Sequence, residues 1–164
     1  MPTVSNTSPI LNLAIIDQLS LLQHQFGTLW IPLAVLEELR LEENLPGSAV
    51  VRKGLDENWI QGREVQDDAI VRILQRDLDK GEAESIALAL QLDADRVLID
   101  EREARQVAKS LGLQVTGVLG ILLRAKREGY LASLTDTISL LQDQAGLRIG
   151  QDLLSNILQA GGEG

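Results

Sequence analysis

Short β-prone runs alternate with longer segments of helical periodicity along this 164-residue chain, and that alternation points to an α/β fold built on a mainly parallel sheet. Strands are expected at 3–5, 29–31, 59–61, 96–99 and 114–116. The segments between them read as helices. "IPLAVLEELRL" places Pro32 at a helix start, with Val35 and Leu39 on its buried stripe. "LPGSAVVRKGLDENW" is a weaker helix after the Pro46-Gly47 turn. Asp67 and Asp68 head a helix to about Leu78, and "LDKGEAESIALALQL" opens another whose Ile86, Ala87 and Leu90 share a face.

Further on, "DEREARQVAKSLGL" ends near Gly112 and "GVLGILLRAKREG" at Gly129, where glycine supplies a left-handed cap. Ser133 with Asp136 has the spacing of a capping box ahead of "TDTISLLQDQAG". One more helix, at about 150–159, precedes "GGEG", which reads as a frayed tail. No internal repeat or low-complexity linker divides the chain, and its length suits one domain.

The acidic residues carry the chemistry. In an open parallel sheet, ligands bind outside the carboxyl ends of the strands. Asn6 ends the first strand and Asp100 follows "RVLI", so both stand at that rim. Glu38 interrupts an apolar helix face in "AVLEEL", and Glu82 lies in the first turn of "GEAESIALAL". Four oxygen-bearing groups in one place oppose folding through mutual repulsion unless a cation neutralises them. Mg²⁺ and Mn²⁺ prefer such oxygen ligands and support hydrolysis of a phosphodiester. Each acid also has a plain structural reading: Glu82 and Glu84 favour the positive end of a helix dipole, and Asp100 suits a helix cap.

Composition closes off other classes. With no Cys there is no disulfide, zinc-thiolate site or thiol nucleophile. The single His24 reads as a capping or packing residue, and Trp30 and Trp59 as packing residues. With 45% hydrophobic residues, 24% charged and no run of about 18 apolar residues, the chain is expected to be soluble, folded and cytoplasmic, with no membrane span. A net charge of −9 opposes a broad basic surface for nucleic acid, and 2% aromatic residues leave little for base stacking. Neither a P-loop nor a dinucleotide fingerprint is present, which weakens a nucleotide-binding or phosphoacceptor reading.

Taken in order, "VSNTSPILNLA", "IPLAVLEEL", "DKGEAESIALAL", "RVLIDEREARQVAKSLGL" and "VTGVLGILLRAKREG" resemble the PIN domain, in a bacterial branch related to VapC-type toxins. The likeness covers roughly residues 3–130. It implies a three-layer α/β fold, with a PIN-like domain over 1–130 and a C-terminal helical extension of it over 131–164. It also implies an Mg²⁺- or Mn²⁺-dependent endoribonuclease acting on RNA, with an antitoxin protein and a second copy of the chain as partners.

Carried over by motif, the metal ligands are Asn6, Glu38, Glu82 and Asp100, the last three also catalytic. Thr7 and Ser8 match the hydroxyl pair that supports the first acid; Thr116 is a further supporting residue, and Glu84 and Glu101 rival Glu82 and Asp100. RNA contacts are expected from Arg102, Arg105 and Lys109, which share one helix face, and from Arg124, Lys126 and Arg127. The family pattern has Asp where this chain has Asn6. That departure removes a charge while keeping a carbonyl ligand, which admits two readings: a weakened metal-dependent endoribonuclease, or a non-catalytic PIN-like module that binds RNA or protein.

Overall fold

The computed structural model describes residues 2–164. In chain order its elements are β1 (Thr3–Ser5), α1 (Thr7–Ile15), α2 (Ser20–Phe26), β2 (Leu29–Pro32), α3 (Leu33–Glu38), α4 (Ser48–Asp56) and β3 (Ile60–Arg63). There follow α5 (Asp68–Leu74), α6 (Lys80–Gln91), β4 (Arg96–Leu98), α7 (Arg102–Ser110), β5 (Gln114–Thr116), α8 (Val118–Arg127), α9 (Leu134–Gln144) and α10 (Gln151–Ala160). The five strands form one parallel sheet in the order β3-β2-β1-β4-β5. The chain builds outward from β1 to β3, then returns to the other side of β1 for β4 and β5. That reversal puts the topological switch between β1 and β4, where α/β sheets open a crevice.

The strands alternate their side chains between two buried faces, which makes the molecule three layers. Leu29, Ile31 and Leu98 join Ile10 and Leu13 of α1, Leu22 of α2, Ile121 of α8 and Ile138 of α9 in one core. Val4, Val97 and Ile99 point the other way, into Ile86 and Leu88 of α6 and Ala104 and Ala108 of α7. Burying each of these aliphatic side chains contributes on the order of 1.5–3 kcal/mol before chain entropy is subtracted. Trp59 packs into the first core, and Trp30 lies partly buried against the second beneath the Arg63 guanidinium, 5.2 Å from its ring centre. His24 stacks on Tyr130 with ring centres 3.9 Å apart.

Several boundaries differ from the sequence expectation. Pro32 is the last residue of β2, with ψ at 163°, and the helix starts at Leu33. The third strand runs Ile60–Arg63, leaving Trp59 before it, and the fourth stops at Leu98. Asp67 caps α5 by accepting from the Ile70 N–H at 3.1 Å, but regular helix ends at Leu74, with only turn hydrogen bonds reaching Leu78. Gly112 and Gly129 follow α7 and α8 with φ of +87° and +84°, a region that glycine enters without the penalty a Cβ carries. Ser133 caps α9 through the Asp136 N–H at 3.0 Å.

The tail is not frayed. The Glu163 carboxylate accepts from the N–H groups of Leu134 (2.7 Å) and Thr135 (2.9 Å) and from the Thr135 hydroxyl (2.7 Å). Lys126 Nζ of α8 lies 3.0 Å away. These donors stand at the α9 N-terminus, where a negative charge is favoured. Led by the Thr135 hydroxyl, they hold the Glu163 carboxyl down to about 2, against an ordinary 4.5. A depressed carboxyl stabilises the fold above its unfolded value and loses that contribution as pH falls through the folded one. Glu163→Gln should therefore lower the urea midpoint near neutrality, with the difference from wild type closing between pH 4.5 and about 2; a constant difference across that window contradicts the assignment.

Candidate functional site

At the carboxyl end of β1 a pocket of about 360 Å³ opens between helix ends. Asn6, Thr7 and Ser8 line it from the β1–α1 junction, Glu38 from the end of α3, Asp79 and Glu82 from the start of α6, and Glu101 from the start of α7. Each is set by local structure. The Asn6 N–H donates to the Leu98 carbonyl at 2.9 Å, extending the β1–β4 ladder by one residue and burying the Asn6 side chain. Asp79 and Glu82 close a capping box: the Asp79 carboxylate accepts from the Glu82 N–H at 2.7 Å, and Glu82 accepts from the Asp79 N–H at 3.1 Å.

Glu38 extends across the start of α6, where its carboxylate accepts from the Thr7 hydroxyl at 2.9 Å. Gly81 makes that possible. A Cβ there would collide with Glu38 Oε1 and lie 2.9 Å from its Cδ. Three residues on, the Glu84 carboxylate accepts the Ala34 N–H at 3.1 Å, capping the first turn of α3. One helix thus uses Glu82 for the pocket and Glu84 to fix the helix that carries Glu38.

Burial pushes the Glu82 carboxyl above its ordinary value. The Asp79 N–H opposes the shift, while the Asp79, Glu101 and Glu38 carboxylates add to it. Asp100 stands behind this pocket. Its carboxylate accepts from the Val118 N–H at 2.7 Å and from the Ser8 hydroxyl at 3.0 Å, tying α8 to α1. Burial raises its carboxyl too, against the pull of Val118, Ser8 and Arg105.

The family model DUF3368, described as a PIN domain, matches residues 2–163. The chain belongs to the PIN domain family. No curated protein matches it at a significant level. PIN domains share a nuclease-like fold, are generally dependent on divalent metal and typically bind RNA, and the parallel five-stranded sheet is of that kind.

Within this PIN domain the residues singled out from sequence separate into groups. Asn6, Glu38 and Glu82 share the pocket, and Glu101 rather than Asp100 completes its wall. Thr7 and Ser8 support Glu38 and Asp100, not Asn6. Thr116 accepts from Arg96, outside this pocket and in the neighbouring hollow that Asp100 also lines. Arg105 donates to the Ile99 carbonyl at 2.9 Å, while Arg102 and Lys109 lie exposed on α7. Arg124 pairs with Glu128 at 3.2 Å, Lys126 with Glu163, and Arg127 reaches the Ala160 carbonyl at 3.4 Å, so much of the α8 charge holds the C-terminal segment. Sequence reasoning passed over Asp79 and Gly81, although "DKGE" carries the spacing of a capping box.

The residues present fit a hard divalent cation. The Asn6 Oδ1 is buried without a hydrogen-bond partner, and the residue lines a pocket whose other polar side chains are four carboxylates, two hydroxyls and the Asn12 amide. Among the described residues no three of His, Asp or Glu are drawn onto a single point. Mg²⁺ tolerates such spacing, since it commonly keeps several waters and uses one or two carboxylates directly. Gly81→Ala tests the arrangement. Alanine favours the helix by up to about 1 kcal/mol, and Glu38 is exposed enough to swing aside. The variant should keep or slightly raise its melting temperature while weakening Mn²⁺ binding by calorimetry; unaltered affinity would show that Glu38 takes no part.

Proposed function

We propose that this PIN domain is a divalent-metal-dependent endoribonuclease of VapC toxin type, with the acidic pocket at the end of β1 as its active centre. The observation that carries this reading is the buried, unpartnered Asn6 carbonyl beside Glu38, Glu82 and Glu101. These four groups are the ones placed to hold Mg²⁺ or Mn²⁺. Such an ion, when bound, supplies charge neutralisation for a phosphodiester under attack by water. Thr7 orients Glu38, and Asp79 orients Glu82 through the capping box. Asp100 sets the wall between α1 and α8 through Ser8 and Val118.

One observation favours a second reading. Asn6 stands at the position of the family's usual acid and is buried, so the pocket lacks one unit of attraction for a cation. A PIN-like module that binds RNA or a protein without cutting it follows from the same geometry.

Calorimetric titration with Mn²⁺, alongside RNA cleavage, separates the two. Glu82→Gln and Glu101→Gln should each weaken Mn²⁺ by roughly tenfold or more, the loss of one charged ligand, while Asp100→Asn should cost less metal affinity. Affinity should fall on acidification from neutrality, since the raised Glu82 carboxyl takes up a proton that the metal must displace. Asn6→Asp should tighten Mn²⁺ and lower the metal-free melting temperature, and added metal should restore it. Cleavage that is indifferent to metal and to Glu82 would sink the hydrolase reading.

We further propose a cytoplasmic homodimer under the control of an antitoxin. No helix among the described residues is long and apolar enough to cross a membrane. Leu131, Leu134, Ile138 and Leu141 are buried within the chain, leaving Leu140 as the exposed apolar residue of that run. Light scattering at micromolar concentration should give the mass of two chains; the mass of one counts against the dimer.

A further inference from the structure

Across the Ser8–Asp100 hydrogen bond from the acidic pocket lies a larger groove of about 590 Å³, over the ends of β4 and β5 and bounded by α2, α8 and α10. Its charge is opposite. Arg96, Arg105 and Arg124 line it with one carboxylate, Asp100, both of whose oxygens already accept hydrogen bonds, while Glu128 pairs with Arg124 from beside the groove. In a chain of net charge −9, three arginines against two carboxylates leave this hollow positive.

The arginines are held in place without being used up. Arg96 donates to Thr116 Oγ1 and, at 2.8 Å, to Gln114 Oε1. Arg105 donates to the Ile99 carbonyl and Arg124 to Glu128 at 3.2 Å. A guanidinium carries five N–H donors, and these bonds use one or two of each. Side chains fixed in this way lose little further freedom when an anion binds.

A second, independent observation points to the rest of the ligand. Gln25 lines the same groove; its Nε2 donates to the Ile121 carbonyl at 2.9 Å, while its Oε1 is buried with no donor. That orphaned acceptor suits an N–H or O–H of the ligand. Leu153 of α10 offers an apolar rim, 49% exposed. An anion on arginines, a hydrogen-bond donor on an amide oxygen and an apolar face together describe a nucleotide.

We propose that the Arg96–Arg105–Arg124 groove binds phosphates of a single-stranded nucleic acid and delivers the adjoining phosphodiester to the acidic pocket. The groove volume lies in the range of small-ligand sites, which takes unpaired nucleotides and not a duplex. The choice of a strand as occupant rests on the hydrolase reading above; the anion chemistry of the groove does not. Placing the positive groove beside the acids lets the protein retain a strand that the acids alone repel.

The test is fluorescence anisotropy with a labelled ten-nucleotide oligouridylate, in Ca²⁺ so that the strand stays uncut, with uridine monophosphate as a second probe. The double variant Arg96→Gln/Arg124→Gln should weaken the oligonucleotide about tenfold or more and flatten its log–log salt dependence by about 1.4, the share of two single-strand phosphate contacts. Leu153→Glu places a carboxylate at the rim of the groove from an exposed position, and should weaken binding several-fold with unchanged melting temperature. Mn²⁺ affinity should stay at the wild-type value in both. Oligonucleotide binding within twofold of wild type in both variants overturns the groove, and monophosphate binding as tight as the oligonucleotide overturns the strand. If wild type binds no Mn²⁺ but the variants lose the oligonucleotide, the groove stands and the hydrolase reading falls.

Discussion

The parallel pairing of β1 with β4 is the constraint on which the rest depends. It sets Val4 beside Val97 and Ser5 beside Leu98, joining segments more than ninety residues apart in the chain. The ladder runs on through the Asn6 N–H to the Leu98 carbonyl, so the polar residues following both strands emerge at one rim. Because the chain reverses its direction of travel across the sheet here, the helices after β1 and β4 diverge to opposite faces and leave space between their N-termini. Without that register, Ser8 has no Asp100 to meet.

The rim is divided by that hydrogen bond into two hollows of opposite sign. On one side Glu38, Glu82 and Glu101 line a pocket with Asn6; on the other stand three arginines. Net charge conceals this arrangement, since most of the negative surplus lies elsewhere on the surface. It also explains why the acids are tolerated. Glu82 is raised by burial and by its neighbours, but its capping box with Asp79 gives the carboxylate a donor and a role in starting α6. Glu84, two residues on and so about 200° round the helix from Glu82, braces α3 instead.

Much of the fold was legible in sequence because the strands are short, each carries a β-branched residue and the central ones are largely buried, and because Asp67, Ser133, Gly112 and Gly129 mark helix ends in ways that local chemistry decides. The candidate pocket was legible in part. Asn6, Glu38 and Glu82 come from strand ends and helix starts, which periodicity locates. Which of Asp100 and Glu101 faces the pocket depends on how the chain turns after β4, and adjacent residues give periodicity nothing to distinguish. The tail was misread because "GGEG" has the composition of a loose end; the donors that secure Glu163 come from α8 and α9, not from its own neighbourhood. The arginine groove was legible only in part: Arg105 and Arg124 were expected to contact RNA from two separate helices, but their meeting with Arg96 brings together three different elements, which no local pattern reveals.

The central place of β1 has a consequence for biosynthesis. As the chain leaves the ribosome, β1 is made before the other strands and can pair with β2, to which β3 then adds, but its other edge has no partner until residues 96–98 have been made. An open strand edge invites association with another chain. Glu101 reaches the pocket only after that pairing, and the α10 wall of the arginine groove follows later still, with residues 151–160. The two hollows are therefore completed in order, acids before arginine groove, so a nascent chain gains its acidic pocket before the groove beside it is walled.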